Sequence, residues 1–265
     1  MEPQVLLAPN PSLFTGAGTN TYLVGESELV CIDPGPDDDS HLEAILAAVA
    51  EQQGRLATIL LTHSHPDHRP LARRLSASTG AAVRALDVAL GDDGATLLVD
   101  GEVVHAGGAR LRAVHTPGHA SDHLCFHDED AGALYTGDHV LSGMTTVINP
   151  PDGDMTQYMA SLQRIRELAP SVIHPGHGPR VKDAATLIDD YIAHRRDREA
   201  QVERAARDRG GPVRPAELVP EIYAGYPEGL YPLAARSVEA HLDKLVREGR
   251  VRREMAVDGP VYTVR

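Results

Sequence analysis

The stretch Thr62-His63-Ser64-His65-Pro66-Asp67-His68 places three imidazoles and a carboxylate within seven residues. It follows the apolar run Ala57-Thr58-Ile59-Leu60-Leu61, whose β-branched and aliphatic side chains predict a buried strand. The cluster of His and Asp is therefore expected at the end of a strand.

The spacing within this motif favours two binding positions. On an extended segment the side chains of residues i and i+2 point the same way, so His63 and His65 can reach one metal together. Asp67 and His68 then turn toward another position. A solvated loop that is rich in His is the alternative, but clusters at ligand spacing rarely occur without a metal. The motif predicts a site for two metal ions.

Length and composition indicate an ordinary globular protein. The 265 residues, 42% of them hydrophobic, can form one large domain with or without a small appendage. The N-terminal residues lack the basic and apolar regions of a signal peptide, and no apolar run approaches the roughly 20 residues that span a membrane. We expect a cytoplasmic protein that does not contact membranes.

The net charge of −13 is unevenly distributed. Residues 1–180 hold 10 basic and 23 acidic side chains, whereas residues 181–265 hold 15 of each. An acidic surface repels polyanions at long range, although bound cations would offset part of that charge. The distribution disfavours a nucleic-acid substrate without excluding it.

Hydrophobic periodicity predicts the elements around the motif. A hairpin is expected from strands at 21–24 and 29–32, and a helix at 41–52 leads to the strand at 57–61. This strand, helix and strand order favours a mixed sheet covered by helices. A helix at 70–78 should follow the motif.

Later segments predict further strands and helices. Short strands at 83–86, 96–99 and 111–114 are expected to form a second sheet, followed by a hairpin of 124–126 and 133–136. An amphipathic helix at 155–168 and a strand at 171–173 complete this part of the chain.

Four other segments carry polar motifs beside apolar runs. They are Gly18-Thr19-Asn20-Thr21-Tyr22-Leu23-Val24 with Ile32-Asp33-Pro34-Gly35, then His115-Thr116-Pro117-Gly118-His119, Gly137-Asp138-His139, and His174-Pro175-Gly176-His177-Gly178. Together with the first motif, and in this order and spacing, they resemble the metallo-β-lactamase superfamily. The resemblance covers about 180 residues and implies an α/β fold, the αββα four-layer sandwich, in which two mixed sheets pack face to face with helices outside.

The resemblance also implies the ligands. His119 would complete a three-histidine set with His63 and His65, and Asp138 would bridge the two metals, with Asp67 and Asp138 as the catalytic carboxylates. The implied metal ligands are His63, His65, Asp67, His68, His119, Asp138 and His177. The His-rich set favours two zinc ions, with manganese or iron as alternatives.

Other polar residues of these motifs are expected to support the site or the fold. Asp33 matches a residue that supports the metal ligands, but an Asp before Pro-Gly is equally compatible with a turn. His115, His123 and His139 are expected to be supporting or structural, and His174 is a weaker supporting candidate. Arg69-Pro70 stand where many relatives have glycines, which affects the pocket wall and not the ligands.

Several branches of the superfamily do not match. Secreted β-lactamases would show a signal peptide and often a cysteine ligand in place of Asp138, and flavodiiron proteins carry Glu in place of His65. Only 38 residues lie between Asp138 and His177, which leaves no room for the large inserted domain of the nucleic-acid-processing nucleases.

The remainder predicts a second domain. Residues 1–180 are expected to form the catalytic domain, and residues 181–265 a linking helix and a winged-helix-like domain. Helices are expected at 184–207, 215–224 and 233–248, followed by a hairpin around 257–262. A core with such a tail resembles the β-lactamase-like type 2 proteins, whose members include an animal endoribonuclease and fungal thioesterases that release polyketides from acyl carriers.

The tail lacks the basic face of a DNA-binding winged helix. Basic and acidic side chains interleave on its third helix: Arg236, Lys244 and Arg247 with Glu239, Asp243 and Glu248. We expect a packing or dimerisation module that forms a wall of the pocket, and a homodimer is one of the outcomes it would allow.

These observations predict metal-dependent hydrolysis by hydroxide generated between two cations. An acyl substrate fits the acidic surface best: a thioester or lactone, free or on an acyl carrier, with β-lactams as promiscuous substrates. A single-stranded RNA endonuclease or phosphodiesterase is the alternative. A non-catalytic metal-binding module is weaker, because seven potential ligands exceed what structural zinc requires.

Overall fold

A computed structural model describes residues 2–87 and 94–265. The strands are β1 (Gln4–Leu7), β2 (Asn20–Val24), β3 (Glu28–Ile32), β4 (Arg55–Leu60), β5 (Ala82–Ala85), β6 (Thr96–Leu97), β7 (Val103–Ala106), β8 (Ala109–His115), β9 (Leu124–Asp128), β10 (Ala133–Gly137), β11 (Val172–Pro175), β12 (Val251–Ala256) and β13 (Gly259–Val264). The helices are α1 (Asp39–Glu51), α2 (Ala72–Thr79), α3 (Met155–Glu167), α4 (Ala184–Asp208), α5 (Pro215–Ile222) and α6 (Tyr231–Arg247), with a 3-10 turn at Glu228–Leu230.

Two compact units divide the chain. The first comprises Met1–Thr116, Asp122–Thr146 and Arg164–Leu187. It contains a six-stranded sheet in the order β1-β2-β3-β4-β5-β6 and a five-stranded sheet in the order β11-β10-β9-β8-β7. Both sheets are mixed: β3 to β6 run parallel in the first sheet, and β10 and β11 run parallel in the second.

The core of the first unit lies between the sheets. Tyr22 and Ile32 of the first sheet share a buried cluster with Phe126 and Tyr135 of the second. Their chain neighbours point the other way, as the two-residue period of a strand requires. On that outer face, Leu23, Cys31 and Ile59 pack with Ile45 of α1 and Leu75 of α2. Helices, first sheet and second sheet thus form the successive layers expected of an α/β sandwich.

Parallel pairing brings the ends of strands together at the candidate site. Ile32 of β3 pairs with Leu60 of β4, so Asp33 and the Thr62 to His68 motif follow neighbouring strands at the same edge. In the second sheet, Gly137 of β10 pairs with Pro175 of β11, so Asp138 and Gly176-His177 are brought to one edge in the same way.

The second sheet differs from the predicted one. The segments predicted as strands at 83–86 and 96–99 lie in the first sheet as β5 and β6, because the chain crosses from β4 through α2 and returns parallel, as a βαβ unit does. Of the three strands assigned to the second sheet, only the one at 111–114 belongs there, within β8. Strands β1 and β7 were not predicted.

The second unit comprises Pro117–Ser121, Val147–Gln163 and Ile188–Arg265. Its core joins Val202 of α4, Leu218 of α5, Val238 and Leu242 of α6, and Tyr262 of β13. Strands β12 and β13 form an antiparallel hairpin after α6. The predicted order of helix, helix, helix and wing is confirmed, whereas the single boundary between 180 and 181 stays a prediction.

Among the described residues, no helix has the length and the apolar character needed to cross a bilayer.

Candidate metal centre

The first unit brings two imidazoles of the motif close to Asp138. Nε2 of His63 lies 2.9 Å from Nδ1 of His65. One ligand atom from each of His63, His65 and Asp138 lies within 4.8 Å of the others. This set corresponds to the first predicted position.

A second set shares the same carboxylate. One ligand atom from each of Asp67, His68, Asp138 and His177 lies within 4.8 Å of the others. Nε2 of His68 is 3.3 Å from Oδ1 of Asp138 and 3.5 Å from Oδ2 of Asp67. Nε2 of His177 is 3.2 Å from each of those two oxygens. The two sets therefore meet at Asp138.

These distances fit a zinc ion better than hydrogen bonds. Donor atoms at 2.0–2.1 Å from a tetrahedral zinc lie about 3.3 Å from one another. Nε2 of His68 and Nε2 of His177 are buried, and no described group makes a hydrogen bond to either despite the short distances. Their alignment suits atoms that point at a common centre, so the residues present fit a cation.

Gly176 leaves room for this convergence. A Cβ atom at this position would lie 2.7 Å from Oδ1 of Asp138 and 2.9 Å from Cε1 of His68, closer than side chains tolerate. Glycine is the residue that lets a backbone approach so closely. The Pro-Gly-His loop can therefore pass directly beside the donor atoms.

The opposite ring nitrogens are fixed by acceptors. Nδ1 of His68 lies 2.8 Å from a carboxylate oxygen of Asp33, and Nδ1 of His177 lies 3.2 Å from the carbonyl oxygen of Gly18. Both oxygens accept, so Nδ1 donates in each ring, and Nε2 is the nitrogen that offers a lone pair to a metal once its own proton has left. Acceptors behind a metal-binding imidazole fix its tautomer and orientation in this way.

Asp33 connects three groups of the motif. Its Oδ1 accepts the N–H of Thr62 at 2.8 Å, and its Oδ2 accepts the Thr62 hydroxyl at 2.7 Å as well as His68. Since the Thr62 hydroxyl proton goes to Asp33, its oxygen accepts from Nδ1 of His63 at 2.9 Å. Of the two interpretations of Asp33, the supporting carboxylate therefore has direct contacts, although the backbone also turns here with a φ of 50°.

The charges at the site favour a bound cation. Burial opposes an imidazolium at His177, but the carboxylates of Asp138 and Asp67 raise its pKa to about 9. Burial likewise opposes charge on His68, yet Asp138 and Asp33 hold its pKa well above the usual range. The carboxylates thus attract protons onto the two buried imidazoles, and a metal would replace those protons when it binds.

His119 lies in the second unit, on the segment Pro117–Ser121. Its Nδ1 is 2.7 Å from the carbonyl oxygen of Val147. A carbonyl oxygen only accepts, so the proton of His119 is fixed on Nδ1, as in His68 and His177, and Nε2 is the nitrogen that can serve as a metal donor. Its assignment as the third imidazole of the first position stays a prediction.

The other histidines have different surroundings. Nε2 of His123 accepts the N–H of Asp138 at 3.2 Å, and Nδ1 lies 2.9 Å from the Thr116 hydroxyl, so this ring supports the Asp138 backbone. His139 is buried, with its ring 5.8 Å from that of His123. His174 stacks on Tyr135 at 5.0 Å, and burial lowers its pKa to about 4. These three rings are part of the packing around the site.

Sequence reasoning missed several supporting groups. Thr62 belongs to the quoted motif, and its position between Asp33 and His63 could have been inferred once β3 and β4 were paired. The carbonyl oxygens of Gly18 and Val147 carry no side-chain signal. Contacts through the backbone therefore became visible only in the structure.

Two family models match this chain. The sequence model of the Metallo-beta-lactamase superfamily matches residues 14–177, and that of the Beta-lactamase associated winged helix domain matches residues 215–259. These matches cover the two regions that the motifs and the tail had suggested.

Individual proteins are similar over most of their length. The Beta-lactamase-like protein 2 homolog of Drosophila melanogaster is 33% identical over 97% of this chain and 92% of its own. The atrochrysone carboxyl ACP thioesterase of Aspergillus fumigatus is 33% identical over 86% of this chain and 76% of its own. The crystal structure of a metallo-β-lactamase family protein from Thermus thermophilus matches with a TM-score of 0.80 and 24% identity, over 99% of this chain and 98% of that one, which shows a shared fold.

Proposed function

This chain belongs to the metallo-β-lactamase superfamily, a fold family of hydrolases, and we propose that it is a two-metal hydrolase that acts on acyl substrates. The observation that carries the proposal is the convergence of two donor sets on Asp138. A shared carboxylate is how two-metal sites hold their ions close together.

The geometry and the family both support the proposed ligands. His63, His65 and His119 would hold one ion, Asp67, His68 and His177 the other, and Asp138 both. Zinc is the first candidate, because imidazole and carboxylate donors at these separations suit it. Manganese and iron are alternatives that metal analysis would distinguish.

When bound, such a pair of ions supplies acidified water for attack and polarises the oxygen of the substrate. Hydrolysis of a thioester then requires that the oxygen of water bonds to the carbonyl carbon, that the carbon–sulfur bond breaks, and that a proton ends on the thiol. Asp67 is 26% exposed, unlike the buried His68 and His177. Its carboxylate could accept a proton from water that enters the site.

The acyl preference has two supports. One relative of similar sequence over most of the chain is named an acyl-carrier-protein thioesterase. In addition, residues 1–180 hold 23 acidic and 10 basic side chains, a balance that repels polyanions such as RNA. Phosphodiester hydrolysis is the other outcome that the test must distinguish.

The test is a parallel assay of the purified protein after zinc loading. The substrates are short and long acyl thioesters, a lactone, a β-lactam, bis-(p-nitrophenyl) phosphate and a labelled single-stranded RNA. We expect acyl turnover that a chelator abolishes and zinc restores, with up to two metals per chain. Asp138→Asn, prepared in the same way, identifies any contaminating hydrolase, and Asp130→Asn at an exposed carboxylate controls for the substitution itself.

Two results would contradict the proposal in different ways. Strong phosphodiester cleavage without acyl turnover would reverse the substrate assignment and keep the metal centre. Absence of bound metal after reconstitution, with turnover that a chelator leaves unchanged, would remove the two-metal hydrolase altogether.

A further inference from the structure

The segment that carries His119 is held by residues that follow it far along the chain, within the second unit. Besides the contact of His119 with the carbonyl of Val147 at 2.7 Å, the N–H of Asp154 donates to the carbonyl oxygen of Gly118 at 2.8 Å. The peptide between Gly118 and His119 and the ring of His119 are thus both fixed by the segment 147–154. The position of His119 depends on the position of that segment.

Helix α3 supports the same peptide from its first turns. A Cβ atom at Gly118 would lie 2.3 Å from the backbone nitrogen of Tyr158, so the segment lies directly on the helix backbone. The Ser161 hydroxyl donates to the carbonyl oxygen of Pro117 at 2.8 Å. Little room is left for the segment to shift unless α3 or the 147–154 segment moves with it.

Arg236 of α6 binds the 147–154 segment with two of the three nitrogens of its guanidinium group. Nε donates to Oδ1 of Asn149 at 2.8 Å, Nη2 donates to the carbonyl oxygen of Pro150, and Nη1 pairs with Glu239 at 2.7 Å. Glu239 lies one helical turn further along α6 and orients the group. A planar fork with five donors suits this arrangement, and a lysine would reproduce only part of it.

Arg247, three turns further along α6, reaches the other end of the same segment. It forms an ion pair with the carboxylate of Asp154, whose own N–H holds Gly118. The second oxygen of Asp154 accepts the N–H groups of Thr156 and Gln157 at the start of α3. The two arginines of one helix therefore anchor the segment that contacts His119 at two places, Asn149-Pro150 and Asp154.

From these contacts we infer that Arg236 and Arg247 are positioning residues for His119, and that α6 of the winged-helix region acts on this proposed ligand through the 147–154 segment. The inference rests on the proposed function, in which His119 is a metal ligand. It gives the winged-helix region a role that requires neither nucleic acid nor a partner. Removal of either arginine should loosen the 147–154 segment and weaken the binding of one metal.

The experiment measures metal binding directly. Zinc is titrated into metal-free parent, Arg236→Ala, Arg236→Lys and Arg247→Ala proteins in competition with a chromophoric chelator, and melting temperatures of the metal-free forms are recorded. We expect two equivalents in the parent and, in Arg236→Ala, one equivalent weakened about 10–100-fold, the effect usual for groups behind metal ligands. Arg236→Lys should recover part of the loss. Arg252→Ala, which removes an exposed wing arginine paired with Glu254, should bind metal as the parent does.

A second readout separates positioning from general damage. If Arg236 positions a ligand, excess zinc should restore kcat toward the parent value while the shifted metal affinity persists. Parent-like affinity for both equivalents in Arg236→Ala or in Arg247→Ala would overturn the inference, as would a loss of activity that excess zinc leaves unchanged. A parent protein that binds no metal would overturn the proposed function and this role together. If Arg236→Ala does not fold, the metal affinities of Arg236→Lys and Arg247→Ala test the inference in its place.

Discussion

Oδ2 of Asp33 lies 2.8 Å from Nδ1 of His68, and both side chains are buried. The same carboxylate accepts the backbone N–H and the hydroxyl of Thr62. It therefore sets the direction of His68 and, through Thr62, that of His63. One anion behind the motif orients a donor from each of the two proposed metal positions.

Asp33→Asn should accordingly weaken metal binding at both positions. The amide keeps the size of the side chain but removes the anion and offers a donor where two donors already point. We expect metal affinity to fall about 10–100-fold, and the free energy of unfolding of the metal-free protein to fall by about 1–3 kcal/mol because buried donors lose their acceptor. Chelator competition and urea denaturation measure the two effects. Asp130→Asn is the control, and parent-like metal affinity in Asp33→Asn would refute the prediction.

Gly176→Ala tests the close approach of the backbone to the donors. The added methyl group would lie 2.7 Å from Asp138 and 2.9 Å from His68, so the loop or the two side chains must move. We expect at least about a tenfold loss of metal affinity, because misplaced donors no longer share one centre. Gly229→Ala is a matched control, since nothing lies within 4 Å of a Cβ atom there. Equal metal affinities for the two variants would contradict the prediction, because they would show that the loop accommodates the methyl group without displacing the donors.

Much of the fold could be predicted because most elements alternate cleanly between strand and helix periodicity. The helix predicted at 41–52 and the hairpin at 21–32 lie within a few residues of α1, β2 and β3. The sheet to which 82–85 belongs was not predictable in the same way. Its pattern is equally compatible with either sheet, and only the parallel pairing of β5 with β4 decides the matter.

The sequence predicted only part of the site. The spacing of His63, His65, Asp67 and His68 indicated two positions, but only the family resemblance supplied the distant residues Asp138 and His177. Six of the seven predicted ligands belong to the first unit, which brings them together. Asp33 was named as a supporting candidate, but the backbone acceptors behind His119 and His177 could not be foreseen, because the carbonyl oxygens of Val147 and Gly18 leave no trace in the sequence.

The buried His241 should make the free energy of unfolding depend on pH. Burial lowers its pKa to about 4, and it faces Glu199 at 3.9 Å, with the charges of Arg195 and Lys244 nearby. An unfolded histidine titrates near 6.5, so between about pH 6.5 and 4 the unfolded chain binds a proton that the folded chain refuses. The free energy of unfolding should therefore fall as the pH falls through this window. His241 contributes up to ~3 kcal/mol to that fall.

His241→Leu measures this contribution. The difference in free energy of unfolding between the parent and the variant should decrease from pH 7 to pH 4, because the variant lacks the proton-binding group. Urea denaturation of the metal-free proteins at several pH values gives both curves. His105→Leu, at an exposed strand position, is the control for the substitution itself. Parallel curves for the parent and His241→Leu would contradict the prediction.

Asp138→Asn is the change on which the two-metal proposal depends most, because this carboxylate belongs to both donor sets. The amide keeps the shape but removes the anion that would offset two adjacent cations. We expect turnover to fall at least ~10²-fold and metal affinity to fall with it, while the fold is retained. His139→Asn, at the next residue, should cost less, about 10–100-fold, as a group behind the ligands does. Metal content, melting temperature and turnover of both variants separate the cases. Parent-like activity in Asp138→Asn would exclude the bridging role. If that variant unfolds while His139→Asn still binds metal, Asp138 is needed mainly for the turn that it forms.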